Sequence, residues 1–143
     1  MTLTVALGAS GTRPASVATS KARQEMMIRI RVGDSVLRAT LTDSKASRDF
    51  ASLLPLTVTM NDLFRREKYA HLPRAISEEG ERSHDFEVGD VAYWPPSSDV
   101  AIFFRQDGQT IPDPGIIHLG KIDSGVEVLD TPDSTKVTFE LGK

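Results

Sequence analysis

The residues best able to do chemistry lie in two short stretches. In YAHLPR, Tyr69, His71 and Arg74 offer a ring that stacks, an imidazole that donates or accepts, and a guanidinium that holds negative charge. In YWPPSSD, Tyr93 and Trp94 stand against Pro95 and Pro96, which fix the backbone extended and break sheet pairing. Trp94 therefore ends its strand near a rim, where it can line a ligand pocket, pack in a core or meet a partner. The other histidines are plainer. His84, between Ser83 and Asp85, reads as solvated, and His118, inside IIHLG, as a half-buried strand residue with its ring nitrogens hydrogen-bonded. The three histidines are too dispersed for a local metal motif and there is no cysteine, so no metal site is expected. Glu78, Glu79, Glu81, Asp85, Glu87 and Asp90 read as a solvated acidic face rather than as paired catalytic carboxylates. The glycines are isolated, as turn and bulge glycines are, and build no phosphate cradle; no cofactor is expected.

The elements that must position these residues are mostly strands. Ile28, Ile30 and Val32 alternate with Arg29 and Arg31, Gly33-Asp34 makes a two-residue turn, and residues 35–41 return as a hairpin. One helix follows: Asp43 or Ser44 caps it, Ala46, Phe50, Leu53 and Leu54 share a face, and Pro55 ends it. Residues 56–60, 88–94, 100–104, 116–122 and 136–141 are of strand length, and 67–76 is extended or irregular around Pro73. Seven or eight short strands with one clear helix argue for a mainly β protein, an antiparallel barrel or sandwich.

The chain has 143 residues, which suits one domain with a core of its own. A net charge of −3 with 26% charged residues leaves no basic excess for a nucleic acid partner. No run approaches the ~18 apolar residues of a membrane helix, so neither nucleic acid nor membrane is an expected partner and a cytoplasmic location is expected. Residues 1–25 carry three basic groups against one acid and little periodicity, and read as a disordered tail ahead of a domain spanning 26–143.

LLPLTVTM, EKYAHLPRAISEEG, GDVAYWPP, DVAIFF and PGIIHLGKI, in this order, resemble segments of the bacterial cyclophilin-like proteins, small domains of largely unassigned function. The resemblance runs from Met27 to Lys143 and implies a closed barrel of eight antiparallel strands capped by one or two helices. It also implies a groove beside the Pro95–Pro96 hinge, walled by Trp94, Ile102 and Phe104 with Tyr93, and with Tyr69, His71 and Arg74 as polar contributors. Cyclophilins place a Gln and a His where this chain has Ile102 and Ile116, and Arg74 is the candidate for their catalytic arginine. The resulting expectation is a small molecule or short peptide segment bound in an apolar groove without established catalysis. A peptidyl-prolyl cis-trans isomerase using Arg74, and a protein-interaction module docking through Trp94-Pro95-Pro96, are the alternatives.

Overall fold

A strand that alternates isoleucine with arginine turns one row inward and the other to water. In the computed structural model, which describes residues 26–142, β1 (Met26–Val32) buries Ile28, Ile30 and Val32. Arg29 and Arg31 reach Glu140 of a neighbouring strand at 3.1 and 3.0 Å. Gly33 takes φ 58, and the two-residue turn returns the chain as β2 (Ser35–Leu41), with Val32 opposite Ser35. The tail expected over residues 1–25 lies outside the described residues.

The strands that follow are β3 (Leu56–Leu63), β4 (Glu67–His71), β5 (Arg82–Ser83), β6 (Asp90–Trp94), β7 (Asp99–Phe103), β8 (Ile116–Ile122) and β9 (Thr135–Leu141). Their order is β2-β1-β9-β3-β4-β7-β6-β8, and β8 pairs back onto β2, so eight antiparallel strands close a barrel. The mainly β, eight-stranded barrel expected from the sequence is the architecture observed. The two-residue β5 lies on the free end of β8. At the seam a Cβ on Gly120 would stand 2.5 Å from the Thr40 carbonyl oxygen, so only glycine lets β2 and β8 meet.

Among the described residues one α-helix, α1 (Lys45–Ala51), packs on this barrel. Ser44 Oγ accepts from the Ser47 amide at 3.1 Å as N-cap, and the buried Ser47 Oγ donates to the Leu119 carbonyl at 2.8 Å, tying helix to β8. Phe50 meets Phe139 edge-on with ring centroids 5.4 Å apart. The helix stops at Ala51, earlier than its apolar spacing suggests; Leu53 and Leu54 lie beyond it, half-buried against the same core. Val126 and Leu129, from a 3-10 turn, join that core. Among the described residues no helix is long and apolar enough to cross a membrane.

Parity along β4, β7, β6 and β8 decides what the barrel wall presents to each side. Ala70, Val91, Tyr93, Val100, Ile102, Ile117 and Leu119 face the interior core. Ala92, Ala101, Phe103 and Ile116 face outward and, with Phe86 and Ile111, form a second, smaller cluster on which Tyr69 and Trp94 pack.

Candidate functional site

The outer face of β4 and β7 is a ladder of three pairs: Glu67 opposite Phe103, Tyr69 opposite Ala101, and His71 opposite Asp99. β6 lies on the far side of β7 and adds Ala92 opposite Ala101 and Trp94 opposite Asp99. Tyr69 and Trp94 thus stand on the strands flanking β7, about 12 Å apart at two strand spacings and a two-residue offset. Ala101 and the nearly buried Asp99 lie between them on β7, so the floor is low where the walls are high. The result is an open cleft of about 260 Å³, lined also by Leu63, Phe64, Ile111, Pro112 and Ile116. Its base is dry: Phe103 is fully buried and stacks on Phe86 at 4.3 Å.

Each end of the ladder carries charge. At the Phe103 end, the Arg66 guanidinium lies 5.3 Å from the centroid of Phe64 and 5.7 Å from that of Phe103, with Nε 2.9 Å from Glu67 Oε2 and NH1 3.5 Å from Asp107. Burial pushes the Glu67 carboxyl above its ordinary value, although Arg66 pulls against it. Phe64 itself is 71% exposed, and both it and Arg65 take left-handed conformations, φ 60 and 49, in the turn between β3 and β4. Bulky side chains are rare there, and the conformation costs on the order of 1–3 kcal/mol per residue. The Asp62 carboxylate offsets part of this by accepting from the Arg65 amide at 3.0 Å.

At the other end Asp99 is nearly buried. Its Oδ1 is hydrogen-bonded to His71 Nδ1, and its Oδ2 accepts from Ser97 Oγ at 2.7 Å. The His71 ring is 71% exposed and meets Tyr69 edge-on, with centroids 6.5 Å apart. Pro95–Ser97 form a 3-10 turn that Ser98 ends in a left-handed conformation, so the Pro-Pro hinge is the corner between β6 and β7, and Trp94 and Asp99 on either side of it line the cleft.

Ile116 also borders a second, acidic cleft of about 360 Å³ with Glu81, Ser83, Asp85, Phe86, Glu87, Asp90, His118 and Lys121. The sequence suggests solvation for Asp90, but it is 6% exposed: its carboxylate takes the Glu87 amide at 2.8 Å, His118 Nε2 at 3.3 Å and Lys121 at 3.5 Å. Burial alone would push this carboxyl up. The bonds from His118 and Glu87 and the charge of Lys121 outweigh it and hold the group below 3.8. His118 Nδ1 is buried without a partner among the described residues, so only one of its nitrogens is paired. Among the described residues no group of three or more His, Asp or Glu side chains is arranged to hold a metal ion.

Of the residues expected in a groove, Tyr69 and Trp94 line the apolar cleft and His71 reaches it through Asp99. Tyr93, Ile102 and Phe104 require correction: all three belong to the barrel interior, where the Tyr93 hydroxyl accepts from the Ile76 amide at 3.2 Å. A one-residue shift along a strand exchanges its faces, and the groove positions of β7 are Ala101 and Phe103. Arg74 does not line the cleft. It binds Asp49 at 2.8 Å and Ser52 at 3.0 Å beside α1, and its hydrogen bond holds the Asp49 carboxyl low. Sequence reasoning missed Phe64, Arg66, Glu67 and Asp99. Alternation counted outward from Tyr69 would have found Glu67, and pairing Trp94 across the hinge would have found Asp99; the turn holding Phe64 and Arg66 is signalled only by Asn61-Asp62 before it and has no Gly or Pro at its left-handed positions.

The profile of the Cyclophilin-like family matches residues 30–140. The chain is also similar in structure to the hypothetical protein AF2241 from Archaeoglobus fulgidus, known from a solution structure. The two share 26% identity at a TM-score of 0.66, over 82% of this chain and 95% of that one. No curated protein sequence matches the chain significantly.

Proposed function

The chain belongs to the Cyclophilin-like family, and from that premise we propose that it binds a small molecule or a short peptide segment in the apolar cleft outside its barrel. The observation that carries this reading is the slot between Tyr69 and Trp94, floored by Ala101 and backed by a buried aromatic stack. Apolar walls with a few convergent polar groups are what ligand clefts generally offer. A fragment screen by thermal shift, followed by titration on Trp94 fluorescence, tests it. Hits should raise the melting temperature of the parent chain and lose binding in Ala101→Leu, which fills the slot from its floor. Hits that bind the filled variant equally well would refute the reading.

Peptidyl-prolyl isomerisation is the second reading, and Arg66 rather than Arg74 is the observation in its favour, because Arg66 is the guanidinium that lines the cleft. A thousandfold acceleration of an X–Pro bond requires about 4 kcal/mol of selective transition-state stabilisation. Arg66 is already forked on Glu67, and the neighbouring Ala101 and Ile116 supply shape but no donor. Little rate enhancement on a Xaa-Pro peptide is therefore expected. Rapid isomerisation that disappears in Arg66→Ala would promote the isomerase.

A further inference from the structure

The groups that line the apolar cleft bear on the charge of its occupant, and the inference drawn from them rests on the cleft being a ligand site. Four of the chain's nine aromatic side chains, Phe64, Tyr69, Trp94 and Phe103, line it; Arg66 already lies near the rings of Phe64 and the buried Phe103, which leaves Tyr69 and Trp94 for a ligand. Ring faces carry the negative lobe of a quadrupole and attract cations. Two carboxylates, Glu67 and Asp99, line the same space against one cation, Arg66. That cation is committed: Arg66 is paired with Glu67 and lies near Asp107. Asp99 lies at the other end of the ladder, about 13 Å from Glu67 at four strand residues. It is only 7% exposed, its two partners are a hydroxyl and an imidazole, and each of its oxygens keeps a free lone pair.

An anion entering this slot would meet aromatic faces and a desolvated carboxylate, both of which repel it. A neutral apolar group would be tolerated but would add no partner to Asp99 beyond Ser97 and His71. The adjoining cleft reinforces the sign of the field, with Glu81, Asp85, Glu87 and Asp90 against Lys121. We infer that the cleft takes a small organic cation, an ammonium on a compact apolar body, lodged between Tyr69 and Trp94 over Ala101 with its charge toward Asp99. A free small molecule suits the slot better than a protein side chain, because a cleft of about 260 Å³ is filled by the ammonium and its own apolar substituents.

Trp94 is the only tryptophan, so its fluorescence reports the slot directly. The full chain is titrated with choline and with 3,3-dimethyl-1-butanol, which has the same shape and hydroxyl but no charge. Choline should bind at least about tenfold more tightly. Asp99→Asn should remove most of that preference, and Tyr69→Ala, at a half-exposed position, should reduce it should the Asp99 variant fail to fold. Equal or tighter binding of the uncharged alcohol overturns the inference while leaving the cleft a ligand site. An acetylated, amidated lysine peptide binding tenfold more tightly than free choline overturns the assignment to a free small molecule. If neither probe binds, the cation inference falls, and the ligand-cleft reading is judged separately by the fragment screen and the Ala101→Leu variant.

Discussion

The four strands β4, β7, β6 and β8 show two faces of one wall. Inside, Ala70, Val100, Ile102, Val91, Tyr93 and Ile117 belong to a core in which each apolar surface meets another. Outside, Tyr69, Ala101, Ala92 and Trp94 are equally apolar, yet the space between the two large rings stays open because the residue of β7 opposite Tyr69 is only an alanine, Ala101. The polar groups differ in the same sense. The inner face admits one ammonium, that of Lys68, which is fully buried beneath the Asp133 carbonyl at 2.9 Å and Asp62 at 3.2 Å. The outer face gathers Glu67, Asp99, His71 and Asp90. On the proposed reading the inner face serves stability and the outer face recognition, and variants on the two should then separate stability from binding.

The largest effect is expected inside. Ile102→Ala should cost about 2–5 kcal/mol of unfolding free energy by urea denaturation, through lost contacts and a cavity. A cost below about 1 kcal/mol would mean that β7 presents the opposite face to the core. Asp90→Asn comes next, at about 1–3 kcal/mol near neutral pH, because charged hydrogen bonds at a buried site are lost. Its pH dependence has a definite sign. Since the folded state holds Asp90 below 3.8, the carboxylate's contribution is present above that value and disappears as pH falls through its folded value. The acid limb of a stability curve should consequently be flatter in the variant, and an unchanged limb would contradict the Asp90 assignment.

Trp94→Ala should behave oppositely, weakening ligand binding about tenfold, or 1.4 kcal/mol, while moving the unfolding midpoint little. If it unfolds the protein instead, the outer face is core as well. The smallest effect should be a gain: Phe64→Gly relieves a left-handed phenylalanine and should stabilise by about 1 kcal/mol while weakening binding. Calorimetry of folding and binding on the same variant checks both halves, and stabilisation without weakened binding would remove Phe64 from the site.

Much of the fold was legible because its signals are local. The arginine-isoleucine alternation of β1, the Gly33 turn and the Ser44 cap each act within a few residues, and each appears where expected. The site was legible only in part. Trp94 could be assigned to a rim because two prolines next to it forbid continued pairing. Ile102 and Phe104 could not be oriented, because VAIFF is apolar at every position and alternation is silent when both faces are covered. Arg74 looked like a partner of His71 by proximity in sequence, but its chain segment leaves β4 and meets α1 instead.

What the sequence by itself determined is a mainly β chain and its first hairpin, since turn chemistry and side-chain period are properties of consecutive residues, whereas closure into a barrel was implied only by the family resemblance. Only the tertiary structure decided which face of β7 meets the core, which carboxylates share the cleft and which arginine lines it. Those outcomes depend on strand register across β4, β7 and β6, and register is set by residues far apart in the chain that pack only once the barrel has closed.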